Sequence, residues 1–164
     1  MGCAGDLERA PTLPPLTVTP SASPSAQPTP TGIDAPTPEG ATAFARYFYG
    51  QVELAYQRRD PDLVRRLSAP GCETCELFVA SITRLRDADE RTVGLVYDIT
   101  VATAPGTDGV SARVDIIYSG PEVVRFDGRN QVVNREPPAV SVKEQVDLVQ
   151  APSGGWLVAE ILRT

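Results

Sequence analysis

The sequence predicts an α+β domain in which three N-terminal helices pack in a curved antiparallel sheet. Apolar side chains recur at helical spacing in residues 37–60 and again in 77–88. From Thr92 onwards they alternate instead with polar ones, as in half-buried strands. A proline-rich stretch ends where the first helix begins. We therefore expect residues 38–164 to form a single domain with one core.

The first helix, predicted over residues 37–60, is the element around which we expect the domain to be built. Its apolar residues occupy a broad arc, so the helix should be covered on most of its circumference. Four residues share the narrow remaining face: Arg46, Gly50, Glu53 and Gln57. Thr37 can cap the start of this helix, and Pro38 suits its first position.

Two shorter helices should follow. Asp60-Pro61 is typical of a helix start, and Leu63, Val64 and Leu67 then support about two turns. Residues 72–75 lead into the third helix, which is predicted to extend to about Ala88. Its apolar face repeats at three and four residues: Leu77, Phe78, Ser81, Ile82 and Leu85.

The second half of the chain predicts antiparallel strands. Residues 92–102 alternate as one strand with Val93, Leu95, Tyr97, Ile99 and Val101 on one face. A turn at 105–109 should join it in a hairpin to a strand that includes Val114, Ile116 and Tyr118. A short pair, 122–126 and 131–134, follows. The next strand places Val140, Val142, Glu144, Val146 and Leu148 on one face, and the last strand begins at Trp156.

Composition excludes several functions. The net charge of −6 argues against nucleic acid as a partner. The chain has no His, so it lacks the commonest general base and the commonest metal ligand. We expect no metal and no cofactor. No apolar run approaches the roughly 20 residues that a membrane-spanning helix requires.

The N-terminus resembles the end of a bacterial lipoprotein signal, in which a small residue precedes the Cys that becomes lipidated. Here Gly2 precedes Cys3, and we predict residues 1–9 to be a lipoprotein N-terminus with Cys3 as the lipidation site. N-myristoylation is a weaker alternative, because position 6 is Asp6 rather than Ser or Thr. A chance Cys is the third alternative.

Residues 10–38 hold nine of the 16 prolines, among Thr, Ser and Ala. Such a segment lacks the apolar side chains needed for a packed core, so we predict a disordered linker over residues 10–37. A lipidated Cys followed by a spacer and a folded domain is typical of an exported protein. We therefore expect a membrane partner, through a lipid anchor at the outer face of the cytoplasmic membrane.

Three helices followed by a sheet that closes on Gly-Gly-Trp-Leu-Val resemble the nuclear-transport-factor-2-like fold. More narrowly, Ala-Phe-Ala-Arg-Tyr-Phe in the first helix and Leu-Ser-Ala-Pro-Gly-Cys-Glu-Thr-Cys after the second resemble an uncharacterised actinobacterial lipoprotein family with a Cys-x-x-Cys motif. The resemblance implies a cone, formed by a curved sheet around the first helix, and a location in the cell envelope. It transfers no catalytic residues.

Cys72 and Cys75 are predicted to form a disulfide. If Cys3 is lipidated, these two remain as a pair in an oxidising compartment. A redox-active pair is the alternative, because a helix N-terminus lowers a thiol pKa. Two acidic neighbours, Glu73 and Glu76, disfavour the thiolate, and a zinc site would lack its other two ligands.

The candidate pocket consists of polar and aromatic residues that the helical and strand periods place inward: Gln51, Tyr56, Tyr97, Tyr118 and Glu144. An inward carboxylate is costly unless it is paired or reached by water, so Glu144 marks either a cavity or a local break in the strand register. We interpret the domain as a non-catalytic module that binds a small apolar ligand or an envelope protein. The alternatives are a cavity enzyme of isomerase or hydrolase type that uses Glu144 as its base, and a thiol-redox protein.

Overall fold

The computed structural model describes residues 29–164, which form three helices followed by seven strands. The helices are α1 (Pro38–Arg58), α2 (Asp62–Arg65) and α3 (Glu73–Asp87). The strands are β1 (Arg91–Val93), β2 (Asp98–Thr103), β3 (Ser111–Gly120), β4 (Val123–Phe126), β5 (Val132–Glu136), β6 (Ala139–Gln150) and β7 (Trp156–Arg163). The predicted α+β class is confirmed.

The strands form two antiparallel sheets rather than the single curved sheet that was predicted. The larger sheet has the order β2-β3-β6-β7, and the smaller has the order β1-β4-β5. Helix α1 contacts β1 of the small sheet and β2, β3 and β7 of the large one. The core therefore lies around α1, between the sheets and the two shorter helices.

Helix α1 forms where its pattern predicted it. The backbone N–H of Gly40 donates to the side chain of Thr37 at 3.1 Å, which caps the first turn. Arg46 and Gln57, on the predicted polar face, are exposed. Glu53, on the same face, is half-buried and accepts a hydrogen bond from the backbone N–H of Tyr97 at 2.5 Å. The side chain of Glu53 thus fixes the backbone at Tyr97, just before β2, to α1.

Packing extends further towards the N-terminus than the predicted boundary at residue 38. The side chain of Ile33 is only 4% exposed and belongs to the core. The indole Nε1 of Trp156 donates to the carbonyl of Ala35 at 2.9 Å. Ile33 and Ala35, assigned to the linker from composition, therefore contact the domain. The predicted lipidation site Cys3 and most of the predicted linker lie outside the described residues.

A disulfide between Cys72 and Cys75 closes the start of α3, as predicted. Both residues are 1% exposed and belong to the core. The buried face of α3 is rotated from the predicted one, because Cys75, Val79 and Ile82 are buried and Leu77 is 70% exposed. Counting from Cys75 rather than from Leu77 at the helical period gives the observed face.

Residues 92–102, predicted as one strand, are divided between the two sheets. β1 pairs with β4, whereas β2 pairs with β3. The break falls at Gly94, which has a φ of +90° and lies so close to the carbonyl of Glu122 that a Cβ would collide with it. Only glycine combines an easily adopted positive φ with the lack of a Cβ. The chain therefore turns at Gly94 and crosses from one sheet to the other.

Bulges make two further predictions wrong: the inward direction of Val101 and that of Val140. The β2–β3 register shifts between Ile99 and Val101, so Val101 is turned to the outer face and is 36% exposed. In β6, Ser141 has a φ of +48° and the pairing with β3 shifts nearby, leaving Val140 77% exposed. An extra residue in one strand turns the residues beyond it to the opposite face.

None of the helices in residues 29–164 is both long and apolar enough to cross a bilayer.

We predict that Ile33→Ala lowers the free energy of unfolding by about 2–5 kcal/mol, because it leaves a cavity in a packed core. Urea denaturation followed by circular dichroism measures the change. Val110→Ala, at a side chain that is 66% exposed, is the matched control and should change stability by less than about 0.5 kcal/mol. Equal effects of the two substitutions would exclude Ile33 from the core.

Candidate functional site

Two adjacent hollows lie between α3 and the sheets, and they share the side chains of Phe78 and Tyr97 as a common wall. The first, which we call the Glu144 hollow, has a volume of about 420 Å³. It is lined by Thr74, Phe78, Tyr97, Tyr118, Glu144, Ile161 and Arg163. The second, the Tyr56 hollow, has a volume of about 200 Å³ and is lined by side chains that include Tyr56, Leu85, Leu95, Val123 and Arg125.

A third concavity of about 750 Å³ lies between α2 and α3. Most of its lining residues are exposed, among them Arg65, Glu76, Ala80 and Asp87. None of the predicted site residues lines it. It is a surface groove, and the Glu144 hollow is the better candidate for a functional site.

Strand pairing places the carboxylate of Glu144 at the first hollow. Glu144 precedes buried Val146 by two residues on β6, so both face the core. Ile116 lies opposite it on β3, and Arg163 lies opposite it on β7. The side chain of Glu144 is 11% exposed, whereas that of Arg163 is 72% exposed. The carboxylate is thus an interior group at the edge of the core.

Two tyrosine hydroxyls donate to this carboxylate. The Tyr49 hydroxyl, from α1, lies 2.5 Å from Oε2, and the Tyr118 hydroxyl, from β3, lies 3.1 Å from Oε1. Nη2 of Arg163 is 3.7 Å from the same Oε1. The two hydrogen bonds and the ion pair offset the cost of removing Glu144 from water.

The aromatic rings around Glu144 pack against one another. The ring centroids of Tyr49 and Tyr97 are 4.8 Å apart, and those of Tyr97 and Tyr118 are 5.0 Å apart. Both pairs meet edge to face, the arrangement that the quadrupoles of aromatic rings favour. The three rings come from α1, the β1–β2 connection and β3, so they join three parts of the chain at one point.

Burial keeps these tyrosines protonated. It raises the pKa of Tyr49, and the adjacent charge of Glu144 raises it further. Burial also raises the pKa of Tyr97 well above its ordinary value. It raises the pKa of Tyr118 as well, and the charge of Glu144 raises that pKa further. At neutral pH the hydroxyls of Tyr49 and Tyr118 therefore act as hydrogen-bond donors to Glu144 and not as bases.

The predicted pocket residues do not all meet. Tyr97, Tyr118 and Glu144 line the Glu144 hollow, while Tyr56 lines the neighbouring hollow together with Tyr97. Gln51 is buried in α1 but lines neither hollow. It follows Tyr49 by two residues, which is about 200° around the helix, so it projects from the side of α1 opposite to Tyr49.

Sequence reasoning did not include Tyr49, Arg163, Phe78 and Thr74 in the site. A signal for Tyr49 existed, because it precedes Tyr56 by seven residues and shares its stripe on α1. Arg163 had none. Its position opposite Glu144 depends on a shift in the β6–β7 register between Asp147 and Leu148.

Residues 29–164 contain no group of three or more Cys, Asp or Glu side chains that could hold a metal ion. The buried disulfide contributes no free thiol to either hollow. The side chains that line the Glu144 hollow can supply apolar contact with aromatic rings and charge pairing through Glu144 and Arg163.

No known family model matches the chain, and none of the curated proteins matches it. Solved structures do resemble it. The intermembrane space region of the chloroplast protein ARC6 has a TM-score of 0.55 and 11% sequence identity, over 76% of this chain and 94% of that one. At this identity the likeness shows a shared fold and nothing about activity.

Two structures from Catenulispora acidiphila are also similar to this chain. One has a TM-score of 0.45 at 11% identity and covers 77% of this chain and 91% of that one. The other, in complex with S-DNPA, has a TM-score of 0.41 at 11% identity and covers 76% and 92%. The likeness to the ARC6 region shows that the fold of this chain occurs among known structures.

We predict that the protein loses stability as pH rises above about 10, the pKa of an unperturbed tyrosine. The folded state holds the protons of Tyr49 and Tyr97 more tightly than the unfolded state, so their contribution is complete below that pH and is lost above it. Urea unfolding at about pH 8 and about pH 11 measures the change, and absorbance near 295 nm reports tyrosinate.

The control for this prediction is Tyr49→Phe, which removes one of the titrating groups and should reduce the dependence on pH. If all tyrosines of the folded protein ionise near pH 10, the hydroxyls are not buried as described.

Proposed function

We propose that this chain is an exported, lipid-anchored cell-envelope protein whose domain binds a small apolar or amphipathic ligand without transforming it. The observation that carries the proposal is the Glu144 hollow, in which Phe78, Tyr97 and Tyr118 provide aromatic walls beside one carboxylate. Ligand sites are typically concave and mainly apolar, with a few fixed polar groups that orient the ligand.

The state of Glu144 supports binding rather than catalysis. General acid–base catalysis needs groups that give or take protons within hydrogen-bond reach of the substrate. In the Glu144 hollow such a group would be Glu144, which is held by hydrogen bonds from Tyr49 and Tyr118 and faces Arg163. The tyrosines keep their protons, and the chain has no His to act as a second acid or base. A cavity enzyme of isomerase or hydrolase type, with this carboxylate as base, is therefore the less supported alternative.

The arrangement of the helices and sheets supports the interpretation as a nuclear-transport-factor-2-like cone. Helix α1 contacts strands of both sheets, and the two hollows lie beside its C-terminal half, next to Tyr49 and Tyr56. We propose that the ligand of this protein binds in the Glu144 hollow, beside this helix.

The cell-envelope location draws its support from the cysteines. A disulfide such as Cys72–Cys75 is typical of proteins outside the cytosol. Cys3 and the proline-rich residues after it fit an acylated N-terminus with a spacer. Both features agree with the actinobacterial lipoprotein family that the sequence resembles. In this proposal the lipid binds the membrane, and the domain binds the ligand or an envelope protein.

We predict that the protein made in its own host partitions into the detergent phase of a Triton X-114 extraction. Its N-terminal peptide should carry a mass increase of diacylglycerol size on Cys3. Cys3→Ser is the control and should move the protein to the aqueous phase, because a lipid chain contributes about 0.8 kcal/mol of membrane binding per CH₂. An unmodified Cys3 in the mature protein would contradict the anchor.

We predict that a neutral apolar probe, N-phenyl-1-naphthylamine, binds the domain and gains fluorescence. Thr74→Trp should weaken this binding at least tenfold, since the indole would fill the mouth of the Glu144 hollow. Leu77→Trp is the matched control, because Leu77 lies on the same helix but is 70% exposed and lines neither hollow. Equal effects of the two variants would show that the probe binds elsewhere.

A further inference from the structure

The Glu144 hollow has a largely buried negative charge and an exposed positive one. The carboxylate of Glu144 is held by two hydrogen bonds and is 11% exposed. The guanidinium of Arg163 belongs to a side chain that is 72% exposed. Of the described residues that line this hollow, these two are charged. The interior end of the hollow is therefore anionic.

Arg163 satisfies Glu144 only weakly. The 3.7 Å between Nη2 and Oε1 is longer than the range of about 2.7–3.2 Å for N–H···O hydrogen bonds. A carboxylate has about four lone-pair positions, of which the hydroxyls of Tyr49 and Tyr118 use two. The guanidinium of Arg163 is in contact with solvent, which weakens its attraction to Glu144, so a cationic ligand can take its place.

The other walls of the hollow suit a cation and offer little to an anion. The rings of Tyr97, Tyr118 and Phe78 line it, and a cation near an aromatic ring is attracted by the ring's quadrupole. The hydroxyl of Thr74 lies 3.0 Å from the carbonyl of Ile161 and 3.2 Å from Oε1 of Glu160, so its proton is already engaged within the protein. An anion would have only Arg163 to bind, and it would approach Glu144.

We propose that the ligand of the Glu144 hollow is an organic cation, with a primary ammonium group attached to an apolar chain. The ammonium takes the place of Arg163 beside Glu144 and donates to the free lone pairs of its carboxylate. The apolar chain lies against Phe78, Tyr97 and Ile161. This inference rests on the proposed function, since it names the class of ligand for the same hollow.

The test uses three probes that share a six-carbon chain and differ in charge: n-hexylammonium, n-hexanol and n-hexanoate. Each is titrated into the full chain, and the dissociation constant is taken from amide chemical shifts in two-dimensional NMR spectra. We expect n-hexylammonium to bind on the order of tenfold more tightly than n-hexanol, as a hydrogen bond to a charged group allows. n-Hexanoate should bind most weakly of the three.

Substitutions test whether Glu144 and Arg163 produce the preference for n-hexylammonium. Glu144→Gln should reduce the affinity for n-hexylammonium to that for n-hexanol, since the amide keeps the shape and loses the charge. Arg163→Gln should increase the affinity for n-hexylammonium several-fold, because it removes the competing cation. Arg113→Gln is the matched control. It removes one positive charge from an exposed arginine of β3 that pairs with Asp147, away from the hollow, and should leave the affinities unchanged.

The outcomes separate this inference from the function on which it rests. Tighter binding of n-hexanoate than of n-hexylammonium, lost in Arg163→Gln, would overturn the inference and assign an anion to the hollow. Equal binding of all three probes would overturn it too, but would leave an apolar binding site in place. If Glu144→Gln does not fold, the order of the three probes and the response of Arg163→Gln decide the question alone. If no probe binds and N-phenyl-1-naphthylamine does not bind either, the proposed function fails together with the inference.

Discussion

The burial of α1 between two sheets is the constraint on which the rest of this structure depends. Ten of its 21 residues are buried, and it contacts strands of both sheets as well as α2 and α3. A helix that is apolar over so much of its circumference is stable only when other elements cover it on several sides. The small sheet reaches the core through β1, which packs on α1. The two sheets are thus held together by the helix that they cover.

A polar contact joins this helix to the large sheet at the point where the core opens. The Tyr49 hydroxyl of α1 donates to Glu144 of β6, and the ring of Tyr49 packs against that of Tyr97. Removing one partner of a buried pair destabilises a protein, but replacing a buried ionic group by an apolar side chain is often neutral or stabilising. Stability alone therefore does not require a carboxylate here. The ligand of opposite charge that we propose would account for its presence.

The position of the hollows follows from the way the chain crosses between the sheets. Gly94 lets the backbone turn out of the small sheet, and the next residues run as a connection until β2 begins at Asp98. Within that connection Glu53 of α1 accepts a hydrogen bond from the backbone N–H of Tyr97, which would otherwise lack a strand partner. The ring of Tyr97 then stands between the two hollows. Strand β2 could not provide this wall if it continued unbroken from β1.

Local chemistry determined much of this protein from its sequence alone. The extent of α1 follows from its apolar period and from Thr37. The disulfide is predicted because Cys72 and Cys75 remain as a pair if Cys3 is lipidated, and the structure contains it. The inward direction of Tyr118 and Glu144 follows from the alternation of their strands. Each of these features depends on residues that are near one another in the chain, where the helical and strand periods apply.

Tertiary structure alone decided which of these side chains meet. Bulges in β2, β6 and β7 change the register by one residue, and each such change turns the following side chains to the opposite face. Gln51 is as buried as its period predicts, yet it lies on the side of α1 away from Glu144. Arg163 reaches Glu144 only through the shifted pairing of β6 with β7. Periodicity indicates whether a side chain faces the core. Its neighbours in the core are set by strand register and by the rotation of α1 against the sheets. Both depend on contacts between distant parts of the chain, which local periodicity does not describe.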